Sequence, residues 1–185
     1  ALHPRCLTLP EALKQNGYRT GMMGKWHLGG YPDQRGFDYF YGILGGASSF
    51  FAPIGLKRNR TAIDHEFQDE KDYYFTHAIG KEAISFLQKS MVDQPFFLYL
   101  PFTAPHWPLH APEDAIERYQ GKFSAGWDEL RKKRLEKMKA LGVMDKSVKL
   151  SPRHPKVPSW KDEQHKIWQE RRMEVYAAQI TIMDQ

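Results

Sequence analysis

A chain of 185 residues with a hydrophobic share of 41% has the length of one domain and enough apolar residues for a packed core, which excludes disorder as its default state. Its 27 basic and 22 acidic residues leave a net charge of +5, much of it between Lys122 and Arg172. Carboxylates are interleaved throughout and no DNA- or RNA-binding motif is present, which argues against a nucleic-acid partner.

No apolar run approaches the ~20 residues that a membrane-spanning helix needs. One cysteine, Cys6, rules out an internal disulfide. No secretory leader is present, but the chain opens on Ala1 rather than methionine and closes on Gln185 inside a predicted helix, so both ends read as cut.

Thr8 followed by Glu11 predicts a capping box, with Pro10 tolerated in the first turn of a helix from Leu9 to Asn16 that stops at Gly17. Tyr18 to Met23, short, apolar and bounded by glycines, predicts a buried strand. Gly24-Lys25-Trp26-His27-Leu28-Gly29-Gly30 would then lie at its carboxyl end, where sites in open α/β sheets form. From Tyr31 to Arg60 glycines and aromatics predict ordered loop with short strands. Thr76 is placed to cap a helix running to about Lys89, with Ile79, Ala83, Ile84, Phe86 and Leu87 as its apolar face. After a turn at Asp93-Gln94-Pro95, Phe96 to Leu100 predicts a strand. It runs into Pro101-Phe102-Thr103-Ala104-Pro105-His106-Trp107-Pro108, which its prolines keep from being helical. Two helical blocks follow, about Trp127 to Leu141 and Trp160 to Gln185, separated by a proline-containing connector from Ser151 to Pro158. In the first block, Arg131-Lys132-Lys133-Arg134 reads as a solvated face. Strand, helix, strand, helix predicts a parallel sheet covered by helices.

Lys25 and His27, two apart after a strand, point the same way if the chain stays extended. Such a pair could hold an oxyanion and handle a proton, although spacing alone favours an exposed lysine and a satisfied histidine. His106 sits in a rigid turn between Pro105 and Pro108, which suits a catalytic imidazole and equally a loop histidine at a strand end. His106 and His110 are four apart, but the intervening Pro108 argues against the helical geometry of a zinc pair. Cys6 reads as a small buried hydrophobe rather than a nucleophile. Asn59-Arg60-Thr61 is a glycosylation sequon of a kind common by chance.

The run from Thr8 to Gly29, ending Gly21-Met22-Met23-Gly24-Lys25-Trp26-His27-Leu28-Gly29, resembles the second signature of the type I, formylglycine-dependent sulfatases. Arg35-Gly36-Phe37-Asp38 and Phe40-Tyr41-Gly42 resemble the segment after it. Pro95 to Leu100 with Ala104-Pro105-His106-Trp107-Pro108 resembles the strand and loop carrying that family's second active-site histidine. Gly126 to Arg131 and Tyr176 through Asp184 also look like arylsulfatase segments. The likeness thins between Ala47 and Tyr73 and between Lys146 and Trp160.

The resemblance implies the large α/β domain of the alkaline-phosphatase superfamily, a mostly parallel sheet flanked by helices, and hydrolysis of a small-molecule or glycan sulfate ester. It implies that Lys25 holds a sulfate oxygen, that His27 bonds the formylglycine hydroxyl, and that His106 assists the leaving group. It further implies a divalent cation, usually calcium, and a periplasmic or secreted setting. Cys6 is followed by Leu7-Thr8-Leu9-Pro10 and lacks the proline and arginine of a formylglycine precursor. Residues 1–185 are therefore expected to form a partial catalytic domain. The nucleophile and two metal-binding aspartates would lie upstream, the Asp-Asn metal pair and a second lysine downstream, and the chain alone would be inactive. Alternatives are a phosphomonoester or phosphonate-ester hydrolase of the same superfamily, an inactive sulfated-glycan-binding module, and a helical domain that docks an acidic partner.

Overall fold

The computed structural model describes residues 2–68, 70–90 and 93–185. Thr8 opens helix α1, Leu9–Gln15, with both halves of the predicted capping box: the Glu11 carboxylate accepts from the Thr8 N–H at 2.7 Å, and the Glu11 N–H donates back to the Thr8 hydroxyl. Gly17, at φ 83°, lets the chain turn out of the helix.

Strand β1, Arg19–Lys25, is buried from Thr20 to Gly24. It reaches two residues beyond the predicted Met23, so Lys25 ends the strand instead of following it. The Gly-rich stretch yields β2, Tyr39–Ile43, then a short hairpin of β3, Leu56–Arg58, and β4, Thr61–Ala62. Helix α2, Phe75–Gln88, and β5, Phe96–Tyr99, complete the sheet region. The strand order is β4-β3-β2-β1-β5. β1 pairs in parallel with both β2 and β5, while β3 and β4 add an antiparallel edge. This is the expected α/β architecture with a mostly parallel sheet.

Two glycines permit the strands to close up. Gly24 and Gly42 sit at φ 134° and 150°, in backbone conformations that side-chain-bearing residues rarely adopt. A Cβ on Gly24 would lie 2.1 Å from the Pro101 carbonyl oxygen, and one on Gly42 1.8 Å from that of Gly24.

Each face of the sheet buries its own cluster. Met23, Tyr41 and Ile43 pack with Phe75, Ala78, Ile79 and Phe86 of α2. Met22, Trp26, Phe37 and Phe40 form the other. Full burial of an Ile79 or Phe86 side chain is worth roughly 1.5–3 kcal/mol, which fixes α2 on the sheet. Two predicted members of its apolar face, Ile84 and Leu87, instead turn outward, because Phe75 and Ala78 carry the stripe toward the helix start. Thr76 is not the cap. Tyr74 occupies that position, and Thr76 lies buried in the first turn. The predicted strand is present as β5 and lies at the margin of the sheet, with Phe96 49% and Tyr99 47% exposed.

The chain divides into two compact units, Ala1–His110 with Gln179–Gln185, and Ala111–Ala178. The first holds the sheet. The second contains α3, Glu113–Glu117, which the sequence pattern did not reveal, α4, Gly126–Ala140, and most of α5, Lys166–Asp184. The block predicted to begin at Trp160 starts with a separate 3-10 turn, Trp160–Asp162. Within this unit Trp127 and Trp160 meet edge to face at 4.8 Å, and Asp128 accepts from the Trp160 N–H and from Arg153. Of the predicted solvated run Arg131-Lys132-Lys133-Arg134, the last three are exposed, while Arg131 is half-buried and donates to the Ser151 carbonyl at 2.8 Å.

Candidate active site

The carboxyl ends of β1, β2 and β5 lie at one edge because all three run in parallel. The chain leaving β1 is stitched to both neighbours there. Lys25 N–H donates to Pro101 at 2.9 Å, on the β5 side. Trp26 N–H donates to Ile43 at 3.0 Å and His27 N–H to Leu44 at 3.2 Å, on the β2 side. Trp26 is the anchor: its ring is buried edge-on against Phe37, and its indole N–H closes the turn on the Gly29 carbonyl at 3.0 Å.

Lys25 is half-buried and shares the α2-facing side of β1 with Met23 by alternation. His27 is exposed at φ 54°. The chain therefore does not stay extended across Lys25-Trp26-His27, and strand alternation cannot align the two side chains. A left-handed turn, held by the Trp26 and Leu44 contacts, directs the His27 ring instead. That ring lies over Gly46 in the loop after β2, where an added Cβ would come within 2.8 Å of Nε2. Nothing in the Gly45-Gly46-Ala47-Ser48 run marked Gly46 beforehand.

His106 is exposed in the non-helical loop after β5, between cis prolines 105 and 108, with Nδ1 directed at the Trp107 carbonyl. Lys25 thus ends β1, while His27 follows β1 and His106 follows β5, at the edge where the strands' carboxyl ends lie. His110 faces elsewhere. Its Nδ1 accepts from the Phe50 N–H at 3.4 Å, its carbonyl accepts from the Tyr74 hydroxyl at 2.9 Å, and its ring packs with Phe50 and Phe51.

Cys6 is exposed, contrary to the buried position expected of it, because the segment before α1 runs along the surface, where Arg35 reaches the Cys6 carbonyl. Among the described residues no three His, Cys, Asp or Glu side chains gather closely enough to hold a metal ion. The donor set for a calcium ion is thus not assembled from these residues.

Three parallel strands with the candidate groups at or just beyond their carboxyl ends make an open α/β scaffold. The Sulfatase family model matches residues 2–185, and the chain belongs to the sulfatase family. It is 37% identical over 204 residues to an uncharacterized sulfatase of Schizosaccharomyces pombe, covering 99% of this chain and 36% of that protein. It is 34% identical over 197 residues to an arylsulfatase of Klebsiella aerogenes, covering 99% and 42%. The chain therefore spans well under half the length of these relatives. Among solved structures, that of Ps i-CgsB in complex with k-i-k-neocarrahexaose superposes with a TM-score of 0.63 at 22% identity, over 98% of this chain and 35% of that one. The structure of BT4656 with D-Glucosamine-2-N, 6-O-disulfate superposes with a TM-score of 0.56 at 19% identity, over 100% and 45%. These two likenesses concern the fold.

Proposed function

We propose that this chain forms the sulfate-binding part of a sulfuric ester hydrolase, and that Lys25, His27 and His106 are its share of the reacting groups. The observation that carries this reading is the stitching of the Lys25–His27 segment to Pro101 and Leu44, which tethers an ammonium and an imidazole to the loop that bears His106. Cleaving a sulfate ester develops charge on the sulfuryl oxygens and on the departing ester oxygen. Lys25 offers a fixed positive charge to a sulfuryl oxygen. His27, exposed and backed by Gly46, accepts and returns a proton at the attacking hydroxyl. His106, held among prolines, donates a proton to the ester oxygen as the alcohol or phenol leaves. A hydrated formylglycine, contributed by sequence outside residues 1–185, supplies the nucleophile. Among the described residues no His, Cys, Asp and Glu cluster gathers to hold the divalent ion. The chain by itself is inactive on this reading, and residues 1–185 form one portion of a larger catalytic domain.

The test is Lys25→Ala in the complete protein, with sulfate release as the measured quantity. Turnover should fall more than tenfold with an unchanged melting curve, since Lys25 is only half-buried. A rate within twofold of the parent removes Lys25 from the mechanism.

A further inference from the structure

The second unit carries the whole net charge of the chain. Of the 27 basic and 22 acidic residues, sixteen and eleven fall within Ala111–Ala178, an excess of +5, while the remainder is balanced. The excess gathers on α4 and the turn after it, where residues 131–149 hold eight cations and two carboxylates. Lys132 is paired with Glu129. Lys133, Arg134 and Lys137 are exposed and make no ion pair or side-chain hydrogen bond among the described residues. With 3.6 residues per turn, these three and the C-cap residue Leu141 lie within one arc of roughly 100°. No carboxylate of α4 shares that arc.

The helix ends in a turn fixed by its own backbone. Gly142, at φ 70°, donates its N–H to Lys139 at 3.1 Å, and the Val143 N–H reaches back to Met138 at 3.0 Å. These are the two bonds of a Schellman motif, in which the residue at the place of Val143 frequently packs back onto the helix. Here Val143 is 69% exposed and Leu141 66%. Two bare aliphatic side chains therefore stand at the end of a cationic stripe. Asp145, the carboxylate nearest to them in sequence, accepts from the Ser147 N–H at 2.8 Å.

A soluble polyanion would engage the cations but leave both aliphatic side chains in water. A second copy would bring like charges together. An anionic bilayer satisfies both features: its headgroups meet the cations, and its acyl boundary receives the apolar tip. We infer that the α4 tip, Lys133, Arg134 and Lys137 with Leu141 and Val143, is a docking surface for an anionic lipid bilayer. The attachment is independent of the proposed hydrolysis.

The experiment measures co-sedimentation of the complete protein with vesicles of phosphatidylcholine alone, and of phosphatidylcholine and phosphatidylglycerol in equal parts. Binding should appear with the second composition only and weaken as salt is added. Each cation near such a surface contributes about fivefold in affinity, so replacing Lys133, Arg134 and Lys137 together by glutamine should weaken binding roughly a hundredfold. Leu141→Ser with Val143→Ser should weaken it at least about tenfold. All five side chains are exposed, so the melting curves should match the parent. Absence of binding to the mixed vesicles, or equal binding to both compositions, overturns the inference. A serine pair that binds like the parent, beside a glutamine variant that does not, removes the apolar tip and overturns it as well. Retention on a heparin resin without vesicle binding assigns the face to a soluble polyanion. Self-association abolished by the serine pair, again without vesicle binding, assigns it to a second copy; either result overturns the bilayer assignment.

Discussion

Replacing Gly46 with alanine tests the placement of His27 without touching His27 itself. The added methyl would lie 2.8 Å from Nε2 and 2.9 Å from Cε1, against an ordinary contact beginning near 3.4 Å. The imidazole must therefore retreat by about 0.6 Å to restore normal packing. Gly46 lies outside the left-handed region, so alanine itself adds no backbone strain. Folding stability should change by no more than about 1 kcal/mol in either direction. Turnover should not be spared. A displacement of ~1 Å at a reacting group costs about a hundredfold, so a shift of this size predicts a loss on the order of tenfold, or about 1.4 kcal/mol of barrier. The assay is sulfate release by the complete protein, read beside a melting curve. Gly45→Ala is the control, because a Cβ there meets nothing within 4 Å. If Gly46→Ala and Gly45→Ala give the same rate, the His27 ring does not depend on the floor assigned to it.

Three further outcomes follow from the structure. Gly24→Val should cost about 3 kcal/mol or more in urea unfolding of the complete protein, because the new side chain meets the Pro101 carbonyl at an unfavourable φ; an unchanged midpoint would refute the close approach of β1 to the chain after β5. His106→Ala should reduce hydrolysis of alkyl sulfates more than that of activated aryl sulfates, since only poor leaving groups depend strongly on proton donation. Equal losses would count against the acid role. The Arg35 side-chain hydrogen bond, followed by the Thr8 N–H and hydroxyl, holds the Glu11 carboxyl at about 2, below its ordinary 4.5. A depressed carboxylate contributes stability above its unfolded pKa and loses it as pH falls, so this contribution should be full above about pH 4.5 and fade toward pH 2. Glu11→Gln should flatten that limb of the melting temperature against pH; an identical limb in both proteins would contradict it.

The local chemistry of the sequence was legible. Thr8 and Glu11 read as a capping box because both partners sit within one helical turn, and the proline loop around His106 could not be helical. What spacing could not carry was anything set by distant chain. Lys25 joins β1 because its N–H finds Pro101, seventy-six positions later. His27 turns left-handed because Trp26 is captured by Phe37 and Gly29. Cys6 looks like a core residue by type, yet its surroundings place it at the surface. β5 is rich enough in aromatics to suggest full burial, but that pattern is the same for a central strand and for one at a margin. The five residues of α3 are too few for a helical period to show. Of the site, the three candidate side chains were visible as types, while Gly46 emerged only from what lies beside it.

The position of β5 has a practical consequence for handling the 185-residue polypeptide. A last strand presents a row of backbone donors and acceptors to whatever arrives, and Phe96 and Tyr99 make that border sticky. No lysine, proline or bulge within Phe96–Tyr99 blunts it. Concentrated alone, such chains would offer one another a template for continued ladder formation, so self-association through this border is the behaviour to guard against during purification.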